Sequence, residues 1–152
     1  MNVFDVNRKT RENILKLING LGTDDLNRVP DGFSNNLIWH LGHVLATQQL
    51  LTYGLSGSEI IISNNIIDEF RKGTKPENGY TTEDISELKE IFMEVINITQ
   101  EDFELEELNS NSFKEYPTSY GITLKSLKDA LEFNNMHEAM HLGMMMVLKK
   151  TI

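Results

Sequence analysis

The sequence predicts an all-α fold, a four-helix bundle with a long crossover connection between the second and third helices. Four segments repeat apolar residues at helical spacing, and turn residues separate these segments. No strand pattern is present beyond one short apolar run at residues 60–62. A chain of 152 residues suits one compact core, so we expect residues 1–152 to form a single domain.

The first two predicted helices both end at glycines. Apolar residues recur at helical spacing over residues 4–21, and Gly20 and Gly22 close this segment. After a turn that contains Pro and Gly, a second helix is predicted over about residues 36–53, with Gly54 as its stop.

Residues 58–80 are expected to form a partly helical crossover. The isoleucines at 60–62 resemble a short strand, whereas the residues that follow resemble one or two helical turns before a loop with Gly and Pro. A bundle needs a long connection when consecutive helices are not neighbours, so a crossed topology is predicted.

Threonine caps are predicted for the third and fourth helices. Thr81 or Thr82, together with Asp84, opens the third helix. Thr123 is the candidate cap of the final helix, which reaches Lys149. The predicted buried side of that helix consists of Leu124, Leu127, Leu131, Met140, Met144, Val147 and Leu148.

Composition excludes several classes of function. The net charge of −9, from 23 acidic and 14 basic side chains, disfavours binding to nucleic acid. The absence of cysteine excludes disulfides, iron–sulfur clusters and a cysteine nucleophile. No signal peptide or membrane-spanning segment is recognisable, so we expect a cytoplasmic protein that does not bind membranes.

The histidines are the candidate chemical groups of this chain. His40 and His43 lie in the second predicted helix, and His137 and His141 lie in the last. Residues four apart on a helix point the same way, so His137 and His141 can bind one metal ion together. Such pairs also occur by chance, but this pair lies on the apolar face, where two buried imidazoles without a common role would be costly.

A third imidazole from a facing helix would complete an open three-ligand site. His40 and His43 diverge by about 60°, so we expect only one of them to bind the ion. We favour His43, because it follows Gly42, where a neighbouring backbone can approach closely. For His40, a packed core histidine is the simpler interpretation, and a hydrogen-bonded partner of the site is the alternative.

The residues His137-Glu-Ala-Met-His141 also match HExxH, the signature of zinc metalloproteases. These enzymes take a third ligand downstream, but the eleven residues after His141 contain no His, Asp or Glu. A metallohydrolase is therefore a minor alternative. Glu138 is a candidate base or a residue that orients a ligand, although a solvated carboxylate is an equally good interpretation.

Other residues are weaker candidates for the site. An apolar substrate pocket has four candidate lining residues, although such side chains usually form core: Trp39, Met136, Met140 and Met144. Gln48 and Asn135 are candidates for polar contacts to a ligand.

Two motifs resemble the DinB/YfiT-like superfamily. They are the second-helix segment NLIWHLGH, which ends at His43 and is followed by Gln48 and Gln49, and the C-terminal segment HEAMHLG. The resemblance spans nearly the whole chain. It implies a bacterial type of four-helix bundle, commonly a homodimer, with a divalent metal ion held by His43, His137 and His141.

The resemblance also implies a class of activity. Characterised relatives include transferases of low-molecular-weight thiols and a thiol-dependent isomerase, so we expect a metal-dependent transferase acting on a small-molecule substrate. Zinc or nickel is the favoured metal, with iron and manganese as alternatives, and a low-molecular-weight thiol is the candidate cofactor. The alternative function is a non-catalytic, stress-associated dimer that only binds metal.

Overall fold

Four long helices dominate the computed structural model, which describes residues 2–108 and 112–152. Within these ranges the chain is mostly helical, which confirms the predicted all-α class. The helices are α1 Val3–Ile18, α2 Thr23–Asn27, α3 Leu37–Gln49, α4 Asn64–Phe70, α5 Thr82–Glu104 and α6 Leu127–Leu148. None of them combines the length and the apolar character that crossing a bilayer requires.

The second predicted helix corresponds to α3 together with the π-helical turn Leu50–Gly54 that continues it. Asn36 caps the start of α3 by accepting a hydrogen bond from the backbone of Trp39. Helical backbone ends near Gly57, whose φ of +74° suits glycine. Wide helical turns of this type often occur where a helix borders a functional site.

The long helices form a ring in which α1 packs against α5 and α6, and α3 packs against the same two helices. Helices α1 and α3 therefore occupy opposite corners. The long connection between α3 and α5 is present and contains α4, but it joins helices that pack together. The connections that link opposite corners are those from α1 to α3 and from α5 to α6.

The partly helical character predicted for residues 58–80 is confirmed, since they contain α4 and residues 60–62 form no strand. The predicted cap of the final helix is wrong. The strands are β1 Tyr116–Pro117 and β2 Thr123–Leu124, which pair as a short antiparallel hairpin. Thr123 is part of that hairpin, and Ser126 caps α6 instead by accepting from the backbone of Asp129. At the third long helix the prediction is confirmed, since Thr81 and Asp84 form a capping box. Residues 109–111, between α5 and the hairpin, lie outside the described residues.

The buried side of α6 differs from the predicted one. Met144 and Val147 are 43% and 53% exposed, whereas Met145 is fully buried. Hydropathy misled the prediction because α6 carries apolar residues on its exposed face and polar residues inside. The buried residues of α6 are Leu127, Ala130, Leu131, Asn134, Glu138, His141, Met145 and Leu148.

Candidate metal centre

Helices α3 and α6 bring the three predicted ligands together. His43, His137 and His141 each offer a ring nitrogen within 4.8 Å of the other two. The ring centroids of His137 and His141 are 4.4 Å apart, and that of His43 lies 5.2 Å and 4.8 Å from them. This is the convergence of one i,i+4 pair with one residue of a facing helix that the histidine spacing predicts.

The position of His43 depends on close packing between α3 and the end of α4. Gly42 lies directly under the ring of Phe70, where a Cβ atom would come within 2.3 Å of the ring. The backbone carbonyl of Phe70 lies 2.7 Å from His43 Nδ1. Because a carbonyl only accepts, Nδ1 carries the proton and donates it, so the lone pair is on Nε2. The Thr47 hydroxyl lies 3.3 Å from Nε2, and a cation bound there would replace that weak contact.

The indole ring of Trp39 covers one face of the His43 imidazole. The two rings stack at 4.6 Å with an interplanar angle of 10°. Trp39 Nε1 donates to Thr74 Oγ1 at 3.0 Å, so the indole itself is held in place. Trp39 therefore packs behind the ligand, where it restricts rotation of the imidazole.

His40 contacts the site through His141. Their Nδ1 atoms lie 2.8 Å apart, at hydrogen-bonding distance in the protein interior. If His141 binds a cation through Nε2, its Nδ1 must carry the proton and donate it to His40. The hydrogen-bonded interpretation of His40 thus fits better than that of a packed core residue.

The surroundings of His137 show whether a cation fits among the three histidines. Its Nδ1 is buried and has no hydrogen-bond partner among the described residues. A buried polar nitrogen without a partner costs about 1–3 kcal/mol, so such atoms call for an explanation. A cation bound at this nitrogen would supply the missing partner, and three converging imidazoles are the donor set that zinc, nickel and iron accept.

All four histidines are held in the neutral form that a metal ligand requires. Burial lowers the pKa of His40 to about 4, that of His137 to about 3 and that of His141 to about 2, with the neighbouring imidazoles adding to each effect. Burial also lowers the pKa of His43, partly opposed by its hydrogen bond to Phe70. Protons therefore compete weakly with a metal at neutral pH.

Glu138 faces away from the three histidines, into the bundle core. Its carboxylate accepts hydrogen bonds from Arg11, at 2.8–3.2 Å, and from Asn134 Nδ2 at 2.8 Å. Arg11 and Glu138 are both fully buried. Arg11 also donates to the backbone carbonyl of Phe92 and lies over its ring, so the pair ties α6 to α1 and α5.

Sequence reasoning missed Arg11, although a signal was present. It occupies the inner stripe of α1 between Phe4, Asn7, Ile14 and Ile18, all of them buried. An arginine at such a position requires a buried acidic partner. Glu138, one of the few acidic residues in an otherwise apolar part of the last helix, is that partner.

A cavity of about 600 Å³ reaches the three histidines. Its size suits a small molecule. Its walls come from the π-helical turn, the hairpin and α6, and they are largely apolar. The lining residues other than the three ligands are Thr47, Leu50, Leu51, Gly54, Leu55, Lys72, Lys114, Glu115, Tyr116, Thr118, Ser119, Tyr120, Phe133 and Met140.

Only Met140 of the four candidate pocket residues lines this cavity. Met136 and Met144 are exposed, and Trp39 packs behind His43. Gln48 is buried and donates to Thr99 Oγ1. Asn135 donates to a backbone carbonyl of α1, so neither amide reaches the cavity.

Comparison with known proteins identifies the family. No curated protein matches the chain at a significant level. A family model described as the DinB superfamily matches residues 7–145, which is most of the chain and includes both histidine motifs. The chain belongs to the DinB superfamily.

Proposed function

We propose that this protein is a metal-dependent transferase that joins a low-molecular-weight thiol to a small electrophile. The observation that carries the proposal is the position of the three histidines at the wall of a largely apolar cavity. A purely structural metal site is normally closed by a fourth protein ligand. Here the described residues provide three imidazoles facing a space of small-molecule size.

The chain's own residues would prepare the site in two ways. Phe70 and His40 hold hydrogen bonds to the ring nitrogens of His43 and His141, which orients both imidazoles. Leu50, Leu51 and Phe133 would exclude water from the bound substrates. A divalent cation, when bound, would favour the thiolate form of the incoming thiol.

The proposed reaction balances as a nucleophilic substitution. The sulfur of the thiol donates an electron pair to an electrophilic carbon, a C–S bond forms, and a halide leaves with the electrons of the broken carbon–halogen bond. The thiol proton passes to solvent. With an epoxide, the C–O bond breaks instead and the released oxygen takes up a proton.

A metallohydrolase of the HExxH type has weaker support. In that mechanism the glutamate acts as a general base beside the metal. The Glu138 carboxylate is instead bound by Arg11 and Asn134 in the core. We propose a positioning role for Glu138, in which it fixes the rotation of α6 that presents His137 and His141.

The proposal is tested by measuring thiol conjugation directly. Protein loaded separately with zinc, nickel, iron or manganese is mixed with chlorodinitrobenzene or an epoxide and with a panel of cellular thiols, and the thioether product is quantified by mass spectrometry. We expect conjugation that requires metal and is lost in His141→Ala. Metal-loaded protein that conjugates none of these thiols would favour the alternative, a non-catalytic metal-binding protein.

A further inference from the structure

The cavity beside the histidines carries positive charge, although the chain as a whole is strongly acidic. Lys72 and Lys114 both line it, and Glu115 is the single acidic residue among the described lining residues. The net charge of the chain is −9. Two lysines against one glutamate therefore reverse the sign of the charge at this surface.

Lys72 follows the end of α4, the same segment that contacts His43, and lines the cavity beside it. Phe70, two residues earlier, provides the carbonyl that holds His43. The backbone of Arg71 donates to the carbonyl of Ile67 at 2.9 Å, which fixes the direction in which the chain leaves the helix. The charge of Lys72 also contributes to the lowered pKa of His43, consistent with this proximity.

Lys114 belongs to a different segment, the one that leads into β1. Its backbone N–H donates to the carbonyl of Leu55 at 2.7 Å, immediately after the π-helical turn. The hairpin is thereby attached to the wall of the cavity. Neither Lys72 nor Lys114 forms an ion pair with a described carboxylate, so both ammonium groups are available to a ligand.

We infer that the cavity selects a substrate with an apolar body and an anionic group, a carboxylate or a phosphate, which Lys72 and Lys114 hold while the reacting atom faces the histidines. Ammonium groups bind both anions as point charges with hydrogen bonds. The apolar wall, which includes Leu51, Phe133 and Met140, would cover the remainder of the molecule. This inference rests on the proposed function and names the substrate class of the same site.

Matched thiols test the inference by binding alone. Zinc-loaded protein is titrated by calorimetry with mercaptohexanoate, with its neutral counterpart mercaptohexanol, and with mercaptohexylphosphonate. The variants are Lys72→Gln and Lys114→Gln, each with a control at an exposed lysine outside the cavity lining, Lys75→Gln and Lys125→Gln. His141→Ala, treated with zinc in the same way, shows whether thiol binding requires the histidine cluster.

We expect the anionic thiols to bind more tightly than mercaptohexanol. Lys72→Gln and Lys114→Gln should each weaken anion binding by roughly two- to fivefold, the range for solvent-accessible ion pairs, and leave mercaptohexanol unaffected. Added salt should reduce the difference. Tighter binding of the phosphonate than of the carboxylate, measured at a pH at which each carries one negative charge, would favour a phosphate as the natural group.

Two failures are distinguishable. If mercaptohexanol binds in a manner that requires His141 but mercaptohexanoate binds no more tightly, the anion inference is wrong and the proposed function stands. The same conclusion follows if the cavity variants and their controls behave alike. If no thiol binds to fully zinc-loaded protein, the proposed thiol chemistry is wrong, and the inference that rests on it is wrong as well.

Discussion

The imidazoles of His40 and His141 meet with their Nδ1 atoms 2.8 Å apart, so a histidine that cannot itself complete the three-ligand cluster still contacts one of its members. Outer partners of this kind orient a ligand and fix its tautomer. Replacement of His40 by Ala should therefore weaken zinc binding by about 10- to 100-fold.

Competition with a chromophoric chelator measures this affinity. His40→Asn is the informative companion, because its amide can accept the proton of His141 and should retain more affinity than Ala. Lys128→Ala, at an exposed position on α6, provides the control. Wild-type affinity in His40→Ala would return His40 to the role of a packed core residue.

Gly42→Ala should destabilise the protein. The new methyl group would lie within 2.3–2.5 Å of three ring atoms of Phe70, so α3 and α4 must separate. We expect a cost of about 1–3 kcal/mol in the free energy of unfolding, the range for an overpacked core. The same shift should move the Phe70 carbonyl away from His43 Nδ1 and so reduce the metal affinity of the variant.

Urea denaturation gives this free energy, and α6 offers a matched control. Gly143 is also helical, but a Cβ atom there meets nothing within 4 Å. Gly143→Ala should instead stabilise the protein by about 0.5–1 kcal/mol, because alanine favours helix. Equal effects at the two positions would contradict the close packing of Phe70 on α3.

Arg11→Met should be among the most damaging single substitutions. It would leave the Glu138 carboxylate buried with only Asn134 as partner, at a cost of about 3–5 kcal/mol. The double variant Arg11→Met with Glu138→Leu removes both charges and should recover much of that loss. A double variant no more stable than the single one, by urea denaturation of metal-free protein, would show that the ion pair is not the cause.

The stability of metal-free protein should fall on mild acidification. The folded-state pKa of each histidine is lowered below the unfolded value of 6.5, so only the unfolded chain takes up protons as the pH falls through that value. The contribution of the neutral imidazoles to the free energy of unfolding is therefore complete above pH 6.5. It is lost as the pH falls from there toward the folded-state pKa. Between about pH 7.5 and pH 5.5 we expect the free energy of unfolding to fall by about 1 kcal/mol for each histidine that stays neutral in the folded protein.

Urea midpoints at the two pH values measure the loss, and carboxylates contribute little because they titrate lower. His137→Gln should reduce the pH dependence, since glutamine does not titrate. A midpoint that is the same at both pH values would mean that the folded-state imidazoles protonate normally.

The homodimer implied by the family resemblance stays a prediction. Light scattering of the purified protein after size-exclusion chromatography measures the mass in solution. A mass near twice the 17.4 kDa of one chain would confirm it, and a mass of one chain would show a monomer.

The meeting of the three histidines was predictable from sequence because it depends on helix geometry and on one marker of close packing. The i,i+4 spacing fixes His137 and His141 on one face wherever α6 lies, and Gly42 marks the close approach that favours His43 over His40. The role of Glu138 was not predictable in this way. Its direction depends on Arg11, which lies 127 positions away in sequence. The inner stripe of α1 marks Arg11 as buried, but only the packing of α1 against α6 shows which carboxylate it meets.

The hairpin and the cavity could not be read from residue patterns. Strands of two residues are too short to show an alternating pattern, and threonine, as at position 123, is favoured both in strands and at helix N-caps. The exposed methionines of α6 misled the assignment of its inner face, because apolar residues occur on both sides. Lys72 and Lys114 come from loops whose meeting depends on the whole fold.

Metal content tests the central claim most directly. Tag-free protein purified without chelator is analysed by elemental mass spectrometry beside His43→Ala, His137→Ala, His141→Ala and the control Lys128→Ala, before and after reconstitution with zinc, nickel, iron and manganese. We expect about one ion per chain in wild type and control and a loss in each histidine variant, the stoichiometry of a single open three-ligand site. Wild type that takes up no metal after reconstitution would contradict the account.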